Sequence, residues 1–143
     1  MEKKEFVKTL NELLYGEKGV MFDLHDDGRV DEKNAEKVNA EMNKIKNIEF
    51  ILDDASHGLY KVARKTYIDT LLVDPPRSGL DNKMIEAITH ILPNKIVYVS
   101  CNPATLAKNL NILKKYYKIR TIIPFDFFPN TPLVESITVL ELI

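Results

Sequence analysis

One hundred and forty-three residues are enough for one domain with a sizeable hydrophobic core and too few for a multidomain enzyme. A composition of 45% hydrophobic and 29% charged residues, with five Gly and seven Pro, excludes a disordered, collagenous or polar-repeat chain. Twenty basic side chains against 21 acidic ones give a formal charge of −1, but residues 59–143 hold 11 basic and 7 acidic side chains, a mild bias that permits an RNA partner without the dense basic footprint of an autonomous nucleic-acid binder.

Along the chain, Phe6, Leu10, Leu13 and Leu14 form one helical stripe within residues 4–15, and a loop follows through Gly16 and Gly19. Val20-Met21-Phe22 reads as a short strand, residues 23–28 as a polar loop, and Ala35, Val38, Met42 and Ile45 as the apolar face of a helix over 31–45. From residue 48 the signal becomes regular: β-branched runs at Ile48–Leu52, Ile68–Val73 and Lys95–Ser100 alternate with helical patterns at 54–65, 81–92 and 103–116. Alternation of this kind predicts an α/β fold with a parallel sheet covered on both faces, which accounts for the continuous apolar runs Leu71-Leu72-Val73 and Ile96-Val97-Tyr98-Val99. Asn102 and Pro103 suit the start of a helix, and Asp81 is a similar cap. After Tyr117, Ile119–Asp126 and Ser136–Leu142 are two strands with no helix between them, so they are expected to pair antiparallel, and Pro124 puts the first at an edge.

Ligands of open α/β sheets bind beyond the carboxyl ends of the parallel strands, here Asp53-Asp54, Asp74-Pro75-Pro76-Arg77 and Ser100-Cys101-Asn102-Pro103. The residues before an antiparallel neighbour begin on the same rim, so residues 127–135 join it and Cys101 and Glu135 are expected to be neighbours. A cysteine just before a helix N-terminus stands where thiolate is favoured, which makes Cys101 a candidate nucleophile; a small buried hydrophobe is the plainer reading of a lone Cys at a strand end. One cysteine forms no intramolecular disulfide, and with three scattered histidines it offers no zinc-ligand spacing. No apolar run approaches the roughly 20 residues of a membrane span, and the charged start Met1-Glu2-Lys3-Lys4-Glu5 has no signal-peptide pattern, so a cytoplasmic location is expected.

Three segments carry a resemblance. Asp74-Pro-Pro-Arg-Ser-Gly-Leu80, Ser100-Cys-Asn-Pro-Ala-Thr-Leu-Ala107 and Phe127-Phe-Pro-Asn-Thr-Pro-Leu-Val-Glu135 resemble, in order and spacing, the catalytic half of the RNA uracil-5 methyltransferases that use S-adenosylmethionine. Residues from Asn43 to Ala55 are similar to that family's third-strand segment. The resemblance implies a Rossmann-like class I methyltransferase sheet, mostly parallel with an antiparallel C-terminal strand pair, in a single domain over 1–143 with an atypical segment at 1–30 and a shortened N-terminal side. It implies methyl transfer to carbon 5 of a uridine in rRNA or tRNA through a cysteine adduct at carbon 6. Cys101 then matches the nucleophile and Glu135 the proton-abstracting carboxylate, with Asp74, Asp54 and Asp27 toward the cofactor and Arg77 and Asn102 toward the substrate.

The chain departs from the family at two places. Leu133 stands where the family has a histidine, two residues before the glutamate. No intact glycine-rich loop follows a first strand: either Val20–Gly28 is a remnant of that strand and loop, or Asp26 or Asp27 stands for the ribose carboxylate and the first strand is absent. A non-catalytic remnant or fragment acting as an interaction module is the alternative function. Two other likenesses are weaker. Residues 23–34 follow the spacing of a calcium-binding EF-hand loop, but His25 and Asn34 occupy ligand positions and Gly16 and Gly19 interrupt the incoming helix, so a solvated turn is expected. The Asp-Pro-Pro run also resembles the amino-group methyltransferases of bases, where an aromatic residue replaces Arg77 and Cys101 has no counterpart role. Tyr116, Tyr117, Phe125, Phe127 and Phe128 are candidates for base stacking or, more simply, for the core.

Overall fold

A computed structural model describes residues 2–14, 21–25, 38, 40–127 and 129–143. Asp26, Asp27, Gly16, Gly19, Val20, most of the expected helix at 31–45, the Leu14 side chain and Phe128 lie outside the described residues. The elements are α1 (Glu2–Leu14), β1 (Met21–His25), β2 (Ile48–Leu52), α2 (Ala55–Lys65), β3 (Thr70–Val73), α3 (Asn82–Ile91), β4 (Lys95–Ser100), α4 (Pro103–Leu113), β5 (Tyr117–Phe125) and β6 (Glu135–Leu142). They divide into two compact units, one of residues 1–16 and 67–143, the other of residues 17–66.

In the larger unit the strands stand in the order β3-β4-β6-β5, with β3 parallel to β4 and β6 antiparallel to both β4 and β5. The C-terminal pair is thus antiparallel as its uninterrupted strand pattern requires, and Pro124 sits on the edge strand, where its missing N–H breaks no ladder. β4 is central, and Ile96, Val97 and Tyr98 are fully buried, as the continuous apolar run predicts. β3 departs from that expectation. Leu71 and Val73 are buried, but Leu72 is 47% exposed, because β3 ends its sheet and its side chains have strand neighbours on one flank only.

α3 and α4 begin where their caps dictate. Asp81 accepts from the Met84 N–H at 2.8 Å, and Asn102 accepts from the Ala104 N–H at 3.0 Å with Pro103 at the first helical position. α3 stops at Leu92, which adopts the left-handed region at φ 55° ahead of Pro93. α4 ends at Leu113, short of the predicted 116. α1 lays its stripe on the sheet: Phe6, Leu10 and Leu13 pack against Val97, Val99, Phe125 and Ile137. Phe6 meets Phe125 and Phe127 edge-on at centroid distances of 5.2 and 5.3 Å. Phe125, Phe127 and Tyr117, whose hydroxyl donates to the Pro93 carbonyl at 2.8 Å, are therefore core residues, whereas Tyr116 is 41% exposed.

In the smaller unit β1 pairs parallel with β2, Met21 level with Ile48 and His25 with Leu52. The strand runs to His25, past the predicted end at Phe22, so the first three positions of the EF-hand-like stretch belong to a strand. α2 buries Gly58, Leu59 and Val62. Val38 and residues 40–42 are helical, within the span expected for a helix, but the helix gives way to a turn at Asn43, short of the predicted 45. Val38, Met42 and Ile45 of the expected apolar face are exposed, while Ala40 is buried.

Candidate active site

Three strand termini build one rim of the larger unit. β3 ends at Val73 and releases Asp74, β4 ends at Ser100 and releases Cys101, and β6 begins at Glu135. Since β3 and β4 run parallel and β6 runs against them, its start lies at their carboxyl ends. Ser100 is level with Ser136, so Cys101 and Glu135 are the next pair outward on adjacent strands.

Charge at this rim is uncompensated. Burial pushes the half-buried Glu135 carboxyl above its ordinary range, and the neighbouring Asp74 carboxylate pushes it further. Desolvation raises Asp74 as well, although its side chain keeps solvent access. Among the described residues neither carboxyl has a hydrogen-bonding or ionic partner. Cys101 is a free, half-buried thiol beside them.

The segment from Asp74 to Leu80 is tied to the start of α4. A turn closes with the Gly79 N–H donating to the Pro76 carbonyl at 2.8 Å. The Arg77 carbonyl accepts from Asn102 Nδ2 at 3.1 Å and from Thr105 Oγ1 at 2.8 Å. Farther along, Asn109 takes the Leu80 N–H on Oδ1 at 2.9 Å and returns Nδ2 to the Leu80 carbonyl at 3.3 Å. The buried Tyr98 hydroxyl also donates to Asn109 Oδ1, at 2.7 Å, and burial pushes that phenol up to about 12. Ser100 Oγ accepts from the Asn102 N–H at 3.1 Å, which fixes the bend that carries Cys101.

The structure therefore gathers Asp74, Cys101 and Glu135, with Arg77 and Asn102 on the adjoining turn. Asn102 spends both ends of its amide on the cap and the Arg77 carbonyl, while Arg77 is exposed. Asp54 belongs to the smaller unit. It caps α2, accepting from the Ser56 and His57 N–H groups at 3.1 and 3.2 Å. Its neighbour Asp53 is held down at about 2 by Lys61 Nζ at 2.6 Å and by the His57 ring at 2.8 Å. An open cavity of about 550 Å³ in that unit is lined by Glu49, Phe50, Ile51, Leu52, Lys61, Arg64 and Lys65, none of them singled out by sequence. Sequence reading missed Asn109, Thr105 and Tyr98. A signal existed: Asn109 is a lone amide on the apolar face of Leu106, Leu110 and Leu113, at helical spacing from Asn102 and Thr105.

The model of the tRNA (uracil-5-)-methyltransferase family matches residues 30–143. An uncharacterized RNA methyltransferase of Mycoplasma mobile is 47% identical over 103 residues, 72% of this chain and 28% of that protein. One of Bacteroides thetaiotaomicron is 42% identical over 108 residues, 74% of this chain and 24% of that protein. Among solved structures, the Pyrococcus abyssi tRNA (uracil-54, C5)-methyltransferase in complex with S-adenosyl-L-homocysteine is similar with a TM-score of 0.72 at 28% identity, over 95% of this chain and 37% of that one. A Streptococcus thermophilus rRNA methylase shares the fold, with a TM-score of 0.61 at 16% identity over 87% of this chain and 74% of that one. The chain spans about a quarter of the length of the curated relatives it matches.

Proposed function

The chain belongs to the tRNA (uracil-5-)-methyltransferase family, and on that premise we propose that it acts in S-adenosylmethionine-dependent methylation of uridine carbon 5 in rRNA or tRNA, with Cys101 as nucleophile and Glu135 as base. The observation that carries this reading is the pairing of Ser100 with Ser136, which makes a thiol and a desolvated carboxyl the next neighbours on one rim.

Uracil carbon 5 is too weak a nucleophile to take a methyl group unaided. The Cys101 thiolate adds to carbon 6, and the electron pair of the carbon 5–carbon 6 double bond moves into an enolate that makes carbon 5 nucleophilic. S-adenosylmethionine, when bound, supplies the electrophilic methyl group. The Glu135 carboxylate then takes the proton from carbon 5, the double bond re-forms, and the carbon–sulfur bond breaks to return the Cys101 thiolate. A carboxyl raised by burial and by Asp74 holds an abstracted proton better than an ordinary one, which suits a base.

Asp74 fits a cationic cofactor. It is a partly desolvated carboxylate with no cation beside it among the described residues, the donor set that a sulfonium and an α-ammonium satisfy. Asp54 and Asp27 are proposed for the adenosine part. Arg77, exposed on its turn, is proposed to meet RNA; Asn102 serves that contact by holding the Arg77 backbone.

An RNA carrying 5-fluorouridine, mixed with the chain and S-adenosylmethionine at saturating concentration, tests the nucleophile, because a methylated carbon 5 that carries fluorine has no proton for the base to take and the adduct cannot resolve. A covalent mass shift on the chain, lost in Cys101→Ala, is expected; methylation of uridine carbon 5 by the Cys101→Ala protein would overturn the assignment. A second reading, an interaction module without turnover, is favoured by the lack of an intact glycine-rich turn in the sequence. It requires RNA binding that is the same with and without Cys101, and no adduct.

A further inference from the structure

We propose that Asn109, together with Thr105, is a positioning residue that sets where Asp74 stands relative to Cys101 and Glu135. The inference rests on the catalytic reading above, and it begins with an amide in an unusual place. Asn109 is 4% exposed on a helix face otherwise made of Leu106, Leu110 and Leu113. A buried amide is costly unless its groups are bonded. Both ends of this one are bonded, and apart from the Tyr98 hydroxyl every partner is backbone of a single loop.

That loop opens with Asp74 and closes at Leu80. Asn102, Thr105 and Asn109 lie three and four residues apart on α4 and its cap, so they form one stripe, and between them they grip the loop at Arg77 and at Leu80. Cys101 directly precedes the same helix. The stripe thus joins the two motifs: the thiol at the head of α4 and the carboxyl at the head of the loop are held to one rigid element. Tyr98 orients the amide from β4, the strand that ends beside Cys101. Gly79 completes the fit, since any side chain there would displace Asn109 Oδ1. None of these bonds holds the sheet together, so removing them is expected to release the loop and leave the fold intact.

Three variants of the full chain test this: Asn109→Leu, which keeps the volume and removes the loop bonds, Thr105→Val, which removes the hydroxyl at equal shape, and Thr105→Ser, which restores it. Two readouts are taken on each, with thermal unfolding as the check on folding: the titration of the Glu135 carboxyl by carbon-13 NMR, and the rate of Cys101 adduct formation with 5-fluorouridine RNA at saturating S-adenosylmethionine. Asn109→Leu and Thr105→Val should unfold cooperatively, show Glu135 titrating closer to its ordinary range because Asp74 has moved away, and form adduct roughly 10- to 100-fold more slowly, as a displacement on the order of 1 Å does. Thr105→Ser should match the parent chain. Folded variants whose Glu135 titration equals that of the parent chain would overturn the proposal. If Asn109→Leu does not fold, the Val and Ser variants at position 105 decide it. If the parent chain forms no adduct, the catalytic reading fails, while the Glu135 titration still decides the positioning.

Discussion

A side-chain carbon at Gly79 would stand 2.6 Å from Asn109 Oδ1 and 3.1 Å from Thr105 Cβ, and Gly79 itself sits at φ +77°. Contact and conformation both demand glycine there. Gly79→Ala is expected to destabilise the chain by about 1–3 kcal/mol, read from denaturant unfolding. The double variant Gly79→Ala, Asn109→Ala should recover the steric part and keep the backbone part, so a purely additive pair would contradict the close approach.

Glu135 sets a pH dependence whose sign follows from its raised carboxyl. By register its titratable surroundings are Asp74 after β3, Cys101 after β4 and Asp126 after β5. A carboxyl that is harder to ionise when folded contributes stability that is fully present below the unfolded value and lost as pH rises through the folded one. At neutral pH the ionised group therefore costs stability. Glu135→Gln should melt above the parent chain near neutral pH, with the gap closing toward about pH 4. A lower melting temperature for the Gln variant at neutral pH would show that the carboxylate is stabilised by an interaction.

The same substitution has a kinetic consequence under the proposed chemistry. Adding the thiolate and accepting the methyl group do not need the base, whereas releasing product does. Glu135→Gln should accumulate the covalent RNA adduct on ordinary uridine, visible as a slow band on denaturing gels. Release of methylated RNA at the parent rate would remove Glu135 from the role.

Cofactor affinity is expected to be weak for the 143-residue chain. Its five glycines are spread along the sequence with no glycine-rich run among them, so close backbone approach and ribose contacts are expected to be diminished. Each lost charge-assisted hydrogen bond is worth on the order of 1.5–3 kcal/mol, and losing two lowers affinity roughly 10²- to 10⁴-fold. From a typical micromolar starting point that leaves a dissociation constant near the millimolar range. Calorimetric titration with S-adenosylmethionine measures it, and a low-micromolar value would mean that residues 16–28 rebuild the loop.

Much of the fold is legible along the chain. The strands at 48–52 and 95–100 begin and end where their β-branched runs do, and Asp54, Asp81 and Asn102 start helices as capping side chains should, because a cap and an alternation are local properties. The rim holding Asp74, Cys101 and Glu135 follows from strand direction, which connection length already constrains. Tertiary structure alone decided three things: that Leu72 is exposed within an apolar run, that the aromatic residues near the C-terminus meet Phe6, and that Asn109 belongs to the loop some 30 residues before it. Each depends on which element lies beside which. Periodicity states which face of an element is buried, but the identity of the group that meets it is set by sheet order and by contacts between residues far apart in sequence.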